Sequence, residues 1–344
     1  MSTLQVEGIR NAAASSDAIT LATNGSASAN LSNYGRKNWI VNGGFEVHQR
    51  GNITHAYSYC GDRFQHRTGS NAAIAQSNTV PAGFAKSMSL TASSGTLSLA
   101  WNTVLEAGNS LEGTAISNVF SNNSKWTVSI WATRVPKVRV DFTDGFGPTN
   151  PQSIVAYTTM TSTGETSNGF TRYKHTFDIG SVNPVGTSKG LHIGWQLATA
   201  AADVKFTGAQ LEKGEYCGPY DHLPYGDELL RCQRYYNRVF DMNGQSGEKP
   251  ISLAVYENGS TLTTIFNFLE MRTIPSLEIT SGSNKFMIRR QDGSDNFDTM
   301  SMRYGTRTTA ELTINSNVSG NSGIVGMLRG ADTDVYVAFN AEFG

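Results

Sequence analysis

The sequence predicts an all-β protein: a β-sandwich, then a short helix, then a second, smaller β-sandwich. Three observations predict it. Apolar and polar residues alternate at period two in run after run, the mark of half-buried strands. Gly, Asn, Ser and Pro separate the runs, as turns between short strands require. Only one stretch, after Pro224, changes to apolar spacings of three and four. Composition agrees: the 344 residues include 35 Gly, and 16% are charged, against about 25% in an average soluble chain.

Residues 1–36 form a small, polar segment in which Ile19 and Leu21 alternate with Thr20 and Ala22 before the turn pair Asn24-Gly25. Such a hairpin is too short to stand alone and calls for another subunit or a larger assembly to order it. Residues 37–222 form the first sandwich. Met88 and Leu90, Leu97 and Leu99, then Trp126, Val128 and Ile130 each line one face of a strand. So do Val138, Val140 and Phe142, then Tyr173, His175, Phe177 and Ile179. Leu191, Ile193, Trp195 and Leu197 line the next, followed by Val204 and Phe206. Repeated half-buried strands without intervening helices imply antiparallel sheets packed face to face.

Residues 223–248 form a helix and linker. Leu229, Cys232, Tyr236 and Phe240 share a stripe from Pro224 to Phe240, with Asp227 and Glu228 at its start and Arg234 and Arg238 near its end, as the helix dipole favours. Cys232 falls on the apolar stripe and reads as a small core residue. Residues 249–344 form the second sandwich, with strands at 251–256, 261–268, 276–280, 285–289, 300–304, 310–314, 323–328 and 335–343.

Charge and cysteine usage exclude several functions. A net charge of −1 offers no basic field for nucleic acid or anionic lipid. No apolar run approaches the roughly 18 residues of a spanning helix, and the N-terminus lacks the pattern of a signal peptide. Cys60, Cys217 and Cys232 are odd in number and far apart, so neither a disulfide framework nor a CxxC knuckle is expected. Synthesis in a reducing cytoplasm follows.

Catalytic constellations are absent from the sequence pattern. The six histidines show no HxH or HExxH spacing, and neither a nucleophile elbow nor a Walker loop is present. Asp141 and Asp144, and the set Asp292, Asp295 and Asp298, read as acidic groups in solvent at strand ends or loops. The latter set offers oxygen ligands for a structural Ca2+ but falls short of the full loop pattern. No other metal or cofactor is expected. Carbohydrate binding asks for an aromatic ring flanked by amides or hydroxyls, and Tyr57, Tyr59, Trp101 with Asn102, and Trp131 are the candidates. Trp131 projects opposite Trp126 and Ile130. Burial in a sandwich interior or subunit interface is the competing role of such rings.

Three stretches resemble a known family. Asn38-Trp-Ile-Val-Asn-Gly-Gly-Phe-Glu46, running on to Gln49-Arg50-Gly51, resembles the opening strand of carbohydrate-binding-module-like jelly rolls in bacteriophage tail fibre proteins of marine-phage type. Tyr59-Cys-Gly-Asp-Arg-Phe64 resembles the element that follows it, with Phe64 where Trp is usual. Phe206 to Glu212, with the tail from Pro219 through Cys232-Gln-Arg-Tyr-Tyr236, is similar to the family's closing strand and its extension. Leu4–Asn11 and Asp17–Leu21 look like the leader of such proteins.

The resemblance implies a jelly roll and a virion protein of the tail fibre, made in the host cytoplasm and assembled as a homotrimer. Its N-terminal segment would meet other phage tail proteins, and its sandwiches would meet host-surface glycan. Members are generally not enzymes, in keeping with the missing catalytic pattern. The alternative is a purely structural virion protein (a head fibre, decoration or tail adaptor). A polysaccharide depolymerase ranks below both, since no repeat builds a β-helix groove. The motif residues themselves read as structural: Gly43 and Gly44 for a bulge or close approach, Asp62 with Arg63 as an ion pair, Glu46 and Glu212 as acceptors for backbone N–H or Ca2+.

Overall fold

Strands cross repeatedly between two facing sheets in the larger body, and the chain then turns through one helix into a second pair of sheets. The computed structural model describes residues 8–9, 19–21, 27–29, 38–54, 59–66, 72–92, 97–103, 125–143, 152–179, 190–198 and 202–342. The first strands are β1 (Gly8–Ile9), β2 (Ile19–Leu21), β3 (Ala27–Ala29), β4 (Ile53–Thr54), β5 (Tyr59–Gly61), β6 (Phe64–His66), β7 (Ala73–Ser77) and β8 (Ser87–Ala92). Next come β9 (Leu97–Thr103), β10 (Lys125–Ala132), β11 (Lys137–Thr143), β12 (Gln152–Thr159), β13 (Thr161–Ser167), β14 (Phe170–Asp178), β15 (Gly190–Ala198) and β16 (Ala202–Lys213). Helix α1 (Tyr225–Gln233) leads to β17 (Tyr236–Asp241), β18 (Lys249–Asn258), β19 (Thr261–Asn267), β20 (Ser276–Ile279) and β21 (Phe286–Arg290). The chain ends with β22 (Gly293–Phe297), β23 (Ser301–Gly305), β24 (Thr309–Ile314), β25 (Val325–Gly330) and β26 (Tyr336–Asn340).

The N-terminal strands pair as β1-β2-β3, with Ile19 opposite Ala29; the expected turn pair Asn24-Gly25 lies outside the described residues. In the larger body a seven-stranded sheet, β13-β14-β10-β16-β8-β7-β4, faces a six-stranded sheet, β12-β11-β15-β9-β6-β5. Every pairing is antiparallel. Trp126, Val128 and Ile130 meet Val138, Val140, Phe142, Ile193 and Trp195 in the core between them. The alternation expected in the sequence is therefore the alternation that packs this core. Strands β12, β13 and β22 fall where period two marks none, and the reason is position: each ends its sheet. An edge strand has one neighbour and little to bury, so its apolar alternation fades.

Two glycines of the family-like stretches are required by geometry. A Cβ on Gly43 would stand 2.0 Å from the Ala209 carbonyl oxygen, and the Ala209 N–H donates back to the Gly43 carbonyl at 2.9 Å. Gly208 adopts φ +64° beside the register shift between β10 and β16, where a Cβ would meet Phe84 and Trp131. Both positions let the opening segment lie against the closing strand.

The helix is shorter than the apolar stripe predicts. It stops at Gln233, and Tyr236, Arg238 and Phe240 belong to β17, which pairs with β26. Tyr-Tyr-Asn-Arg-Val-Phe is rich in aromatic and β-branched residues, and pairing with the end of the chain overrides the continuing helical spacing. Cys232 is buried on the helix as expected, and all three cysteines are free thiols. The C-terminal body stacks β17-β26-β20 on the seven-stranded sheet β22-β21-β25-β18-β19-β24-β23. Tyr256, Leu262, Phe286, Leu312 and Phe339 fill the layer between them.

Candidate functional site

The family-like residues converge at the junction of the two bodies, and there they hold the structure together. Asp62 and Arg63 do not pair with each other, contrary to expectation. The Arg63 guanidinium binds the Glu342 carboxylate at the far end of the chain, and its backbone N–H donates to Glu342 Oε1 at 3.2 Å. The same guanidinium lies 3.6 Å from the centre of the Tyr235 ring. Asp62 instead accepts the Gln49 backbone N–H at 3.0 Å, and Gln49 Nε2 donates to the Tyr236 carbonyl at 2.8 Å. Burial pushes the Asp62 carboxyl up to about 6, against the opposing hydrogen bond from Gln49 and the charge of Arg50. Glu212 accepts the Gly218 N–H at 3.0 Å, the backbone role expected of it. A groove of about 420 Å³ beside this junction is lined by His48, Gln49, Leu229, Gln233, Arg238 and Asp241. Its cation is committed, since Arg238 donates to the Gln49 carbonyl at 2.7 Å and pairs with Asp241 at 3.1 Å.

Of the residues singled out for sugar stacking, the side chains of Tyr59 and Trp131 are described. Tyr57 lies outside the described residues, as do the side chains of Trp101 and Asn102. Strand β9 places Trp101 opposite Ile193 and Phe64, and Asn102 opposite His192. Tyr59 is half-buried with the Arg50 guanidinium 4.8 Å from its ring centre. Trp131 does face away from the core, as expected, but it is only 9% exposed. Phe84 packs against it at 6.3 Å, and Tyr220 and His222 close over Phe84 at 5.0 and 5.1 Å. As a ring offered to a sugar, Trp131 is corrected: it is nearly buried, with Phe84 packed against it.

The acidic set in the C-terminal body is likewise committed. Asp292 and Asp295 pair with Arg290 at 2.8 and 2.6 Å, and Asp295 also accepts the Tyr256 hydroxyl and the Ser319 N–H, each at 2.8 Å. Asp298 accepts the Asn284 N–H. Asp295 lies in β22 rather than in an open loop, and Arg290 supplies the positive charge beside it. Among the described residues no three His, Cys, Asp or Glu side chains gather as a metal site.

A different set does converge, on the outer face of the six-stranded sheet. Val138, Val140 and Phe142 of β11 and Leu191, Ile193 and Trp195 of β15 point into the core, so alternation turns Arg139, Asp141, His192 and Gly194 outward. Register then sets them in rows across the strands. One row runs Ser153, Asp141, His192, Asn102, and the next runs Arg139, Gly194, Ala100, Gln65. Gly194 thus stands beside Arg139 in the second row.

Asp141 is the centre of this face. It is 1% exposed, its Oδ2 accepts Arg139 Nε at 2.6 Å, and His192 Nδ1 stands 3.5 Å from the same oxygen. Oδ1 has no hydrogen-bond partner among the described residues. Burial raises the carboxyl's pKa, but the hydrogen bonds of His192 and Arg139 and the charge of Arg139 outweigh it, so the group sits below its ordinary value. It is therefore a buried anion at neutral pH, and it holds the Arg139 guanidinium in place. Arg139 also lies 5.9 Å from the centre of the Tyr157 ring, which is 44% exposed. Asp141 corrects the expectation of a solvent-exposed acidic pair; Asp144 lies outside the described residues. The missed signal was a polar residue in the middle of a core strand, Asp141 between Val140 and Phe142, matched by His192 between Leu191 and Ile193.

No protein-family model matches the chain, and no curated protein matches its sequence. Among solved structures, it is similar to the enzymatically active domain of tailspike protein 4 of bacteriophage CBA120, with TM-score 0.33, 10% identity and coverage of 52% of this chain and 21% of that one. The match thus spans about a fifth of that tailspike chain's length. It is also similar to the C-terminal family 22 carbohydrate binding module of Clostridium thermocellum Xyn10B (TM-score 0.32, 10% identity, 53% and 98% coverage). A third is the CBM22-1 xylan-binding domain of Paenibacillus barcinonensis Xyn10C (TM-score 0.31, 10% identity, 53% and 97% coverage). Likenesses this distant carry no weight for function.

Proposed function

We propose that this chain is a receptor-binding protein of a phage tail fibre, a homotrimer that attaches to host-surface glycan through the outer face of the six-stranded sheet. One observation carries the glycan half: the exposed Tyr157 ring lies beside the Arg139 guanidinium, which the buried Asp141 carboxylate holds in place. Sugars use that combination. Their hydroxyls accept from a guanidinium, while the C–H face of a pyranose lies on an aromatic ring. The resemblance of residues 38–64 and 206–236 to tail fibre jelly rolls supports the virion half, with residues 1–36 meeting other tail proteins.

In this reading the protein works by binding, with the Asp141 carboxylate tied to Arg139 and His192. Each site is modest and shallow, and joining copies on one fibre multiplies avidity over a single site by about 10²–10⁴. The experiment is a glycan array and whole-cell adsorption assay with wild type, Asp141→Asn and Tyr157→Ala. Binding that falls at least about tenfold in both variants supports the reading. No glycan bound by the wild type, with adsorption intact after blocking this face, would mark a purely structural virion protein. Release of reducing ends from host polysaccharide would mark a depolymerase.

A further inference from the structure

We propose that the outer face of the C-terminal seven-stranded sheet binds a second copy of this chain. Five aliphatic side chains stand on that face in two adjoining rows: Met327, Leu253 and Ile265 in one, Val325 and Val255 in the other. They range from 37% to 66% exposed, although the opposite face of the same strands is filled by Ala254, Leu262 and Leu328 at the core. A continuous apolar patch across three central strands, rimmed by charge, is the pattern of an interaction site rather than of scattered surface residues.

Its flanks identify the partner. Arg289 pairs with Met327 in register at one end of the longer row, and Glu311 pairs with Ile265 at the other. At the first end Glu248 bridges Arg289 at 3.4 Å and Arg329 at 3.1 Å, so two Arg less one Glu leave +1. At the second end Arg303 bridges Glu257 at 2.8 Å and Glu311 at 3.5 Å, so two Glu less one Arg leave −1. The row therefore reads positive, apolar, negative. A closed three-fold ring of copies facing a common axis sets the positive end of one copy against the negative end of the next. Apolar centres meet at the same time, with complementary charge fixing the register. Tyr304, opposite Glu311 and 64% exposed, adds an aromatic rim.

This inference deepens the assembly half of the proposed function and leaves the glycan half untouched, because Asp141 lies on the other body. Size-exclusion chromatography with light scattering on the full chain tests it, at about 50 µM, above the micromolar range where a weak specific interface is populated. The wild type should elute as an oligomer and Leu253→Asp/Ile265→Asp as a folded monomer, with circular dichroism unchanged. Arg289→Glu should weaken association about tenfold, and Arg289→Glu/Glu311→Arg should restore it. A monomeric wild type, an oligomer that survives Leu253→Asp/Ile265→Asp, or a charge reversal that rescues nothing would each overturn it. Glycan binding by that monomeric variant, read on the same array, separates failure of this surface from failure of the sugar site.

Discussion

Replacing Glu342 with Ala should uncouple the two bodies of the protein. The side chains of Arg63 and Glu342 are 1% and 2% exposed, and they join the β5–β6 turn to the end of the chain across 279 residues. Removing one member of a buried pair leaves the other charge without compensation, at a cost of about 3–5 kcal/mol. The Arg63 backbone N–H also loses its Glu342 acceptor, worth about 1 kcal/mol. The Tyr235 ring against the guanidinium offsets about 1–2 kcal/mol. The net expectation is a loss of about 3–4 kcal/mol. Urea unfolding followed by tryptophan fluorescence and far-ultraviolet dichroism reads it, at fixed protein concentration. The fluorescence reports chiefly on the larger body, where the buried Trp126 and Trp195 lie. Wild type should give one shared transition, and Glu342→Ala should give two, with the probes separating. Arg63→Met/Glu342→Leu should recover most of the loss, because an apolar pair of similar volume carries no desolvation cost. A single coincident transition in Glu342→Ala, shifted by less than about 1 kcal/mol, would refute the reasoning.

Other perturbations have defined outcomes. Because burial raises the folded Asp62 carboxyl to about 6, above its unfolded value near 3.9, the native state holds the proton more tightly. The contribution of Asp62 to stability is then greatest below about pH 4 and declines by up to about 3 kcal/mol as pH rises through 6, so the difference between wild type and Asp62→Asn in urea titrations should change by that amount across the window. Gly43→Ala should destabilise by about 3 kcal/mol in thermal melts, since backbone rather than a flexible side chain blocks its Cβ. Trp131→Ala should cost about 3–5 kcal/mol by the same measurement yet leave glycan binding unchanged, as befits a ring enclosed by Phe84.

The sheets were legible because their inner faces carry unbroken apolar alternation, as in Leu191 to Leu197, and nothing local competes with it. Edge strands such as β13, Thr-Ser-Thr-Gly-Glu-Thr-Ser, escaped because a strand with one neighbour needs no apolar face. The helix was overrun at Tyr236 because its partner, Asn340, lies about a hundred residues away and leaves no trace in local spacing. The same distance hid the polar face. Arg139, Asp141, His192 and Asn102 sit on three strands whose register local sequence does not record. Aromatic content pointed instead to Trp131, against which Phe84, distant in sequence, packs. The motif glycines, by contrast, were read correctly as close approach, because Gly43 meets Ala209 through backbone alone.

Isothermal titration of the wild type and of Asp141→Asn with the best glycan from an array tests the central claim most directly. The Asp141 carboxylate positions the Arg139 guanidinium on which the sugar site rests. Heat of binding in the wild type, reduced at least about tenfold in affinity by Asp141→Asn with an unchanged melting curve, is the result expected. Equal affinity in both proteins would contradict it.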